Sequence, residues 1–459
     1  MYPQGWYNVL TDSLLQGKVS LPIKPSPELL ALPDPYDPIQ NAPYRVHDIS
    51  LYKGNHYLYF GVVPAVTLFL PYRLIAGNVL PERAGIVLFS FGGLVFLILL
   101  LRLIKEQYFT KLPNWIMIIS IALLGFANFI PSILRRPMMY EVAITGGFFF
   151  LSGAMYFLCR AFIKVKPKTF MLLLGSLFIG LASGCRHQIV LSGWLLMILA
   201  LKIFFENYKT KSQIKYLSNL VLPYIICMLC LFVYNYVRFD NPFETGLSWQ
   251  LIGSHPHKIE AFSFKYLLPG IYLNLFEPPK FDFYLPFIHL QNAVPLFLLP
   301  QKMYVVEKIS GLVTTIPFVG LMIFFLLIYL LVQFCLRKGK RKELSDFPIL
   351  ESLIILIPAL INLSVLFFHV MVTVRYVIDY VPYIVLFSCV LWFYFYTRLK
   401  GKVRLVFNLM SVGLALISII FGIALGTENY FYKLSNSNPL LYEKIESFFM
   451  PLINLYLGI

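Results

Sequence analysis

Apolar runs of about twenty residues recur along most of this 459-residue chain, and no other feature limits its fold so strongly. A helix needs a run of that length to cross the roughly 30 Å hydrocarbon core of a bilayer. Inside that core every backbone N–H and C=O must be satisfied within the protein, so only helices and closed barrels span it. The runs here are continuous rather than alternating, and they read as helices. Ten fit the template, at about 84–104, 115–134, 141–159, 169–185, 189–205, 217–236, 312–335, 349–368, 377–397 and 405–425. A further apolar piece at 60–76 is short and broken by Pro64 and Pro71, and reads as an interfacial or re-entrant helix. The chain is 59% hydrophobic and 13% charged, where soluble domains have about 45–50% and about 25%. A soluble enzyme, a disordered protein and a coiled coil are excluded. The expected fold is all-α, a polytopic transmembrane bundle of about ten spans with outer-face loops and juxtamembrane helices.

The charges orient this map. Five short connections, 102–111, 160–168, 202–215, 337–342 and 398–404, carry 3, 4, 4, 5 and 4 Lys or Arg, which is 20 of the 38 in the chain. Glu106 and Glu206 are the acids among them. Residues 1–83 and 237–311 each hold six basic and six acidic residues. The positive-inside rule places the five basic loops in the cytoplasm. Residues 1–83, 237–311 and the tail 426–459 then lie outside, flanking spans at 84–236 and 312–425. The net charge of +16 is thus a loop bias, scattered too widely for a nucleic-acid surface. An outside amino terminus without a signal segment implies a further helix ahead of residue 1, giving eleven spans with the amino terminus inside. The Arg337–Lys342 run reads as a solvated loop, and the 278–300 stretch, including Val294 to Leu299, as outer-face loop and short helices.

Charge at the centre of a span is costly and marks function when present. Almost none occurs here, which weakens an ion-coupled pump and moves the search to the outer face. Five clusters lie there. The first loop holds Asp34, Asp37, His47, Asp48, His56 and Tyr57. Carboxylates beside His and Tyr at a membrane surface suit general-base work on a hydroxyl, although Asp34 and Asp37 are also turn formers beside prolines. Arg135, Arg136 and Glu141 form the second, with helix capping as the plain reading of Glu141. Arg186 and His187 form the third, and a snorkelling arginine is its plain reading. Arg238 and Glu244 form the fourth. Arg375 and Asp379 form the fifth, four apart and so able to pair on one helix face. Five arginines opposite the basic loops suit bidentate contact with phosphate, with Arg375 the best placed. No phosphate-binding glycine loop, dinucleotide fingerprint or His/Cys metal spacing is present, and the six cysteines form no disulfide framework. Cys227 and Cys230 lie one helical turn apart without further ligands nearby. No cofactor is expected, and a divalent metal is left open.

These residues resemble the GT-C superfamily of integral-membrane glycosyltransferases, which use polyprenyl-phosphate sugars and include protein O-mannosyltransferases and lipid A aminoarabinose transferases. Gly54-Asn-His-Tyr57-Leu-Tyr59-Phe-Gly61-Val-Val-Pro64-Ala is similar to the proline-bearing juxtamembrane helix that ends the family's first outer loop. Arg135 to Glu141 falls where its second outer loop joins the fourth helix. Arg238 to Gly246 and Arg375-Tyr-Val-Ile-Asp379 look like motifs of bacterial members. The resemblance implies a GT-C fold in the inner (plasma) membrane with its active side extracytoplasmic. It implies a cell-envelope transferase moving a sugar from a polyprenyl-phosphate donor to a hydroxyl on a lipid, glycan or protein. The catalytic candidates are Asp48, Asp37 and Glu141. The binding candidates are Arg135, Arg136, Arg186, His187, Arg238, Glu244, Arg375, Asp379 and Tyr57. One departure stands out: where the family carries an acid after its first helix, this chain reads Gln4-Gly5-Trp6-Tyr7, so that either the role falls to Asp48 or Asp37 or the chain is inactive. The alternatives are a lipid-linked-sugar flippase or exporter, and a surface-polysaccharide polymerase or ligase.

The orientation is testable by labelling. Cysteines introduced at Lys340 and Lys402 are expected to resist impermeant reagents in intact cells, while one at Lys280 is labelled. The reverse pattern would invert the topology.

Overall fold

The computed structural model describes residues 4–163, 168–207, 213–282, 285–291, 304–335, 347–427 and 434–457. Most of them are helical, with three two-stranded pairs among them. Eight helices of the described residues are long and apolar enough to cross a membrane: Glu82–Tyr108, Met139–Phe162, His187–Glu206, Gln213–Phe239, Pro317–Cys335, Ile349–Phe367, Val381–Arg398 and Gly401–Thr427. They mark the chain as a helical membrane protein.

Two of the ten expected spans are shorter. Thr169–Cys185 has 17 residues, or about 25 Å of helix. Asn114–Phe126 has 13, or about 20 Å, because the run to residue 134 is broken. Phe129 takes a left-handed φ of 63° and Asn128 Oδ1 accepts the Ile130 N–H at 3.0 Å, so a separate turn Ile130–Leu134 follows. The run 312–335 divides in the same way, into Leu312–Thr315 and Pro317–Cys335. Pro317 disfavours helical backbone at Ile316. The span expected from 377 begins at Val381, after a 3₁₀ turn over Tyr376–Asp379. The expected tail carries a helix, Pro439–Leu457. The 60–76 stretch forms a short helix over Ala65–Ala76, entered through Pro64, with Leu74 and Ile75 exposed. The 337–342 loop, residues 294–299 and parts of the loops at 160–168 and 202–215 lie outside the described residues.

The chain forms two compact units, Met1–Phe96 with Pro137–Ala261, and Leu97–Arg136 with Phe262–Ile459. Each draws on both polar and spanning parts of the sequence.

In the first unit, polar segments from either end of a 200-residue separation build one small folded layer. Ser50–Tyr52 pairs antiparallel with Asn55–Tyr57. The turn between them, Lys53-Gly54, has φ of 45° and 72°, the doubly positive pattern that matches hairpin twist. Segment 246–252 docks on this hairpin. Leu251 meets Leu29 and Leu51 in a small core backed by Leu32 and Tyr36. Beneath this layer Met139–Phe162 is the buried helix, with 83% of its apolar window covered, against 11% for Gln213–Phe239. The exposed residues Leu222, Ile225, Leu229 and Val233 on the latter are the surface suited to lipid. Thr169–Cys185 packs against both helices through small residues, as membrane helices commonly do. Gly153 lies under the Phe178 ring, and Gly180 lies against Cys227.

In the second unit the buried helix is Val381–Arg398, also 83% covered. Trp392 on it is fully buried, edge-on to Trp115 and Phe318 at 5.9 and 5.5 Å. The polar layer of this unit includes helix Leu267–Leu275 and a parallel pair of Val305–Val306 with Met371–Val372. Tyr380 Oη donates to the Asn274 carbonyl at 3.3 Å, tying the start of the buried helix to Leu267–Leu275.

Close packing at Gly180 is one weak point of the first unit. A methyl group there lies 2.8 Å from Cys227 Sγ and also meets Cys227 Cβ, a contact that no rotamer change relieves. Gly180→Ala is expected to cost about 1–3 kcal/mol, seen as a lower midpoint of thermal unfolding in detergent. The size exchange Gly180→Ala with Cys227→Gly should recover part of it; no loss in the single variant would mean these helices do not pack here.

Candidate functional site

Asp48 sits in the first loop of the first unit with a left-handed φ of 61°, a conformation that aspartate tolerates better than most residues. The backbone holds it there. Its N–H donates to the Leu251 carbonyl at 2.9 Å, and Leu251 N–H donates to the Ile49 carbonyl at 2.9 Å. The side chain, 14% exposed, is gripped from three directions. The Tyr140 hydroxyl donates to Oδ2. Gln250 Nε2 donates to Oδ1 at 3.1 Å, and His47 Nε2 lies 3.6 Å from Oδ2. Tyr140 is the second residue of helix Met139–Phe162, and its ring stands edge-on to Phe60 at 5.3 Å. A carboxylate has about four acceptor positions, so Tyr140 and Gln250 fix the group and leave capacity for a proton from a bound hydroxyl. Partial access and fixed orientation are what a general base requires.

Of the other acids proposed for the first unit, Glu141 is fully buried in the first turn of helix Met139–Phe162, next to Tyr140. Asp37 forms a turn: Oδ1 accepts Ile39 N–H at 2.9 Å and Gln40 N–H at 3.4 Å, and Oδ2 accepts Gln40 Nε2 at 2.9 Å. The Ile39 N–H is the main reason its carboxyl lies below the usual range. Glu244 similarly accepts Gly246 N–H at 2.6 Å. Both positions follow from local backbone chemistry.

Arg186 ends helix Thr169–Cys185 in extended conformation, is 8% exposed and donates to Gln188 Oε1. His187 is exposed and opens the next helix. Arg238 is 3% exposed and internally engaged. It donates to the Leu58 carbonyl and to Asn235 Oδ1, both at 2.7 Å, and lies 4.0 Å above the Tyr234 ring. Tyr57 is buried edge-on to Phe239 at 5.3 Å. These bonds make Arg238 a strut between the hairpin and helix Gln213–Phe239.

The remaining arginines fall in the second unit. Arg135 and Arg136 follow the turn Ile130–Leu134 and are half-buried. Arg375 Nη2 meets Glu307 Oε2 at 2.8 Å, and its Nε donates to Thr373 Oγ1 at 3.4 Å. Thr373 Oγ1 also donates to Glu307 at 2.8 Å. Arg375 precedes the 3₁₀ turn Tyr376–Asp379, and the α-helix expected to carry it begins only at Val381. Asp379 is 4% exposed, and its carbonyl accepts Asn362 Nδ2 at 2.8 Å.

Several polar residues escaped the sequence reading. Gln250 lies in an apolar stretch with no local signal, and it reaches Asp48 only through tertiary pairing. Glu82 accepts the N–H groups of Trp6 and Tyr7 at the start of helix Trp6–Leu15, so a remote carboxylate stands against the acid-free 4–7 stretch. Glu277, 4% exposed beside Leu267–Leu275, is pushed above the ordinary carboxyl range by burial. Glu307 was hidden as one of six acids in a balanced loop. Among the described residues no group of three or more His, Cys, Asp or Glu is placed to hold a metal ion. Family models, curated proteins and solved structures give no match to the chain.

The Arg375–Glu307 pair is 9% and 22% exposed at its side chains. Removing one partner strands the other, at a cost of about 1–3 kcal/mol. Arg375→Ala should therefore lower thermal stability. Arg375→Lys should restore it only in part, because one ammonium cannot reproduce the fork that reaches Thr373 and Glu307. An unchanged melting midpoint with weakened binding of a polyprenyl phosphate would instead make Arg375 a donor ligand.

Proposed function

We propose that this chain is a membrane glycosyltransferase. It moves a sugar from a polyprenyl-phosphate donor to a hydroxyl acceptor on the extracytoplasmic side of the plasma membrane. The observation that carries the reading is the Asp48 carboxylate, oriented by Tyr140 and Gln250 and still partly open to solvent. The sequence resemblance to polyprenyl-phosphate-dependent transferases and the concentration of basic residues in the opposite loops support it.

In this mechanism Asp48 takes the proton of the acceptor hydroxyl as its oxygen attacks the anomeric carbon. The new glycosidic C–O bond forms while the bond to phosphate breaks with inversion, and its electron pair leaves on the phosphate. Tyr140 and Gln250 keep the carboxylate aimed throughout. Arg186, the buried arginine of the same unit outside the Arg238 strut, offsets the growing charge on the leaving phosphate. No metal enters this scheme.

The test is transfer from a polyprenyl-phosphate sugar by purified protein in liposomes. Asp48→Asn is expected to lose about 10²–10⁴-fold in rate with normal expression. Tyr140→Phe, which keeps the carboxylate but frees its orientation, should lose about 10–100-fold, the range for one hydrogen bond to a charged group. Asp48→Asn with near-normal turnover would remove Asp48 from the chemistry and leave Glu141 as the next acid to substitute.

A further inference from the structure

Gln250 points its amide at Asp48, and the residue before it turns the other way into a group of rings. Trp249 lies 4.9 Å from Tyr52, 5.4 Å from His257 and 5.8 Å from Tyr36, centroid to centroid. Tyr36 and His257 stack at 5.5 Å with 27° between their planes. These rings are not a sealed core. Tyr36, Tyr52 and Trp249 are half-buried, and His257 is exposed. They are also held rigidly. Tyr36 Oη donates to the Leu51 carbonyl at 2.6 Å, and His257 Nε2 bonds the Ser248 carbonyl at 2.6 Å.

The rim is polar, and each of its two carboxylates faces a basic side chain. On one side Asp34 faces His255 at 2.9 Å, and on the other Asp240 takes Lys53 at 2.7 Å and the Tyr52 hydroxyl at 3.1 Å. Asp34 and Asp240 are 45% and 55% exposed. The Tyr36 N–H in the first case and the Lys53 ammonium in the second hold these carboxyls below the usual range, so both are acceptors at neutral pH. Partly open aromatic faces with carboxylates at the edge match a neutral sugar. The C–H faces of a pyranose lie on rings, and its hydroxyls donate to carboxylates. An acyl chain has no use for these polar groups.

We propose that the Tyr36–Tyr52–Trp249–His257 platform binds a neutral pyranose of a glycan acceptor, and that the Trp249-Gln250 dipeptide couples this platform to Asp48. Its meaning as an acceptor subsite rests on the transferase reading, but its test is binding alone. The acceptor is then a glycan, bound through a sugar set back from the hydroxyl that reacts.

Saturation-transfer NMR on the full chain in nanodiscs tests this with methyl α-mannopyranoside, methyl β-glucopyranoside and methyl β-galactopyranoside as probes. Saturable binding of at least one is expected. Trp249→Ala should weaken it about tenfold or more, and Trp249→Phe should keep most of it. The paired change Asp34→Asn with Asp240→Asn replaces two exposed carboxylates and should also weaken binding at an unchanged melting midpoint. That variant carries the test if Trp249→Ala does not fold. Glycoside binding is read with no polyprenyl-phosphate donor present, so failure of the platform and failure of the transferase reading register separately. The proposal is overturned if no probe binds saturably, or if binding survives both the Trp249→Ala and the double-Asn changes. Binding of a Ser/Thr-rich peptide at these rings, with none of the glycosides, would also overturn it.

Discussion

Two backbone hydrogen bonds, Asp48 N–H to Leu251 and Leu251 N–H to Ile49, fix the register on which the polar layer of the first unit depends. Because Leu251 is held there, three consecutive side chains are sent to three places. Trp249 goes to the rings, Gln250 to Asp48 and Leu251 to the core with Leu29 and Leu51. Extended backbone alternates its faces, so a slip of one residue would exchange these destinations. Leucine would then face the carboxylate and glutamine would enter the core. Ser50 reinforces the register, pairing with Gln250 across the strands and donating from Oγ to the Gly246 carbonyl at 2.8 Å. The active geometry proposed for Asp48 is therefore a property of strand pairing as much as of the loop that carries it.

Much of the fold was legible because membrane helices advertise themselves by length and continuous apolarity. The breaks within apolar runs were less visible, although two had local signals. Pro317 marks the end of Leu312–Thr315, and Asn128 with Pro131 marks the end of Asn114–Phe126. Hydropathy integrates over a window and does not register a single residue at left-handed φ. Asp48 could be picked from its setting among His and Tyr in a polar loop. Its partners could not, since Tyr140 and Gln250 are 92 and 202 residues away in sequence. The arginines show what residue type alone leaves out. Their residue type suggested phosphate, but Arg238 and Arg375 satisfy carbonyls, an amide and a carboxylate of their own chain.

Buried acids are the other feature that composition concealed. Glu82, Glu277 and Glu351 sit at the ends of apolar segments, where a linear reading treats them as loop charges. Each is buried and hydrogen-bonded within its own unit. Glu82 receives the free N–H groups that open helix Trp6–Leu15, where a helix has no partners of its own and its dipole favours an anion. Gly5 makes this contact possible, since a Cβ there would lie 2.7 Å from Glu82 Oε2. Glu351 accepts the Tyr108 hydroxyl at 2.9 Å. The Glu277 backbone carbonyl receives Gly311 N–H and Thr314 Oγ1, both at 2.7 Å. The Glu277 carboxylate itself bonds Tyr272, five residues before it, while Glu82 and Glu351 join segments far apart in sequence, which is why no local pattern announces those two.

The 202-residue separation between Asp48 and Gln250 also sets a schedule for synthesis. At roughly 5–20 residues per second, the chain is made for about 10–40 s after residue 48 before residue 250 exists. Throughout that interval the first polar segment has no strand to close against, and Leu29 and Leu51 lack the third member of their core. The helices of the first unit emerge in between. The polar layer is thus completed last, on a helical base already in place, and its assembly is timed by the ribosome rather than by the speed of strand pairing.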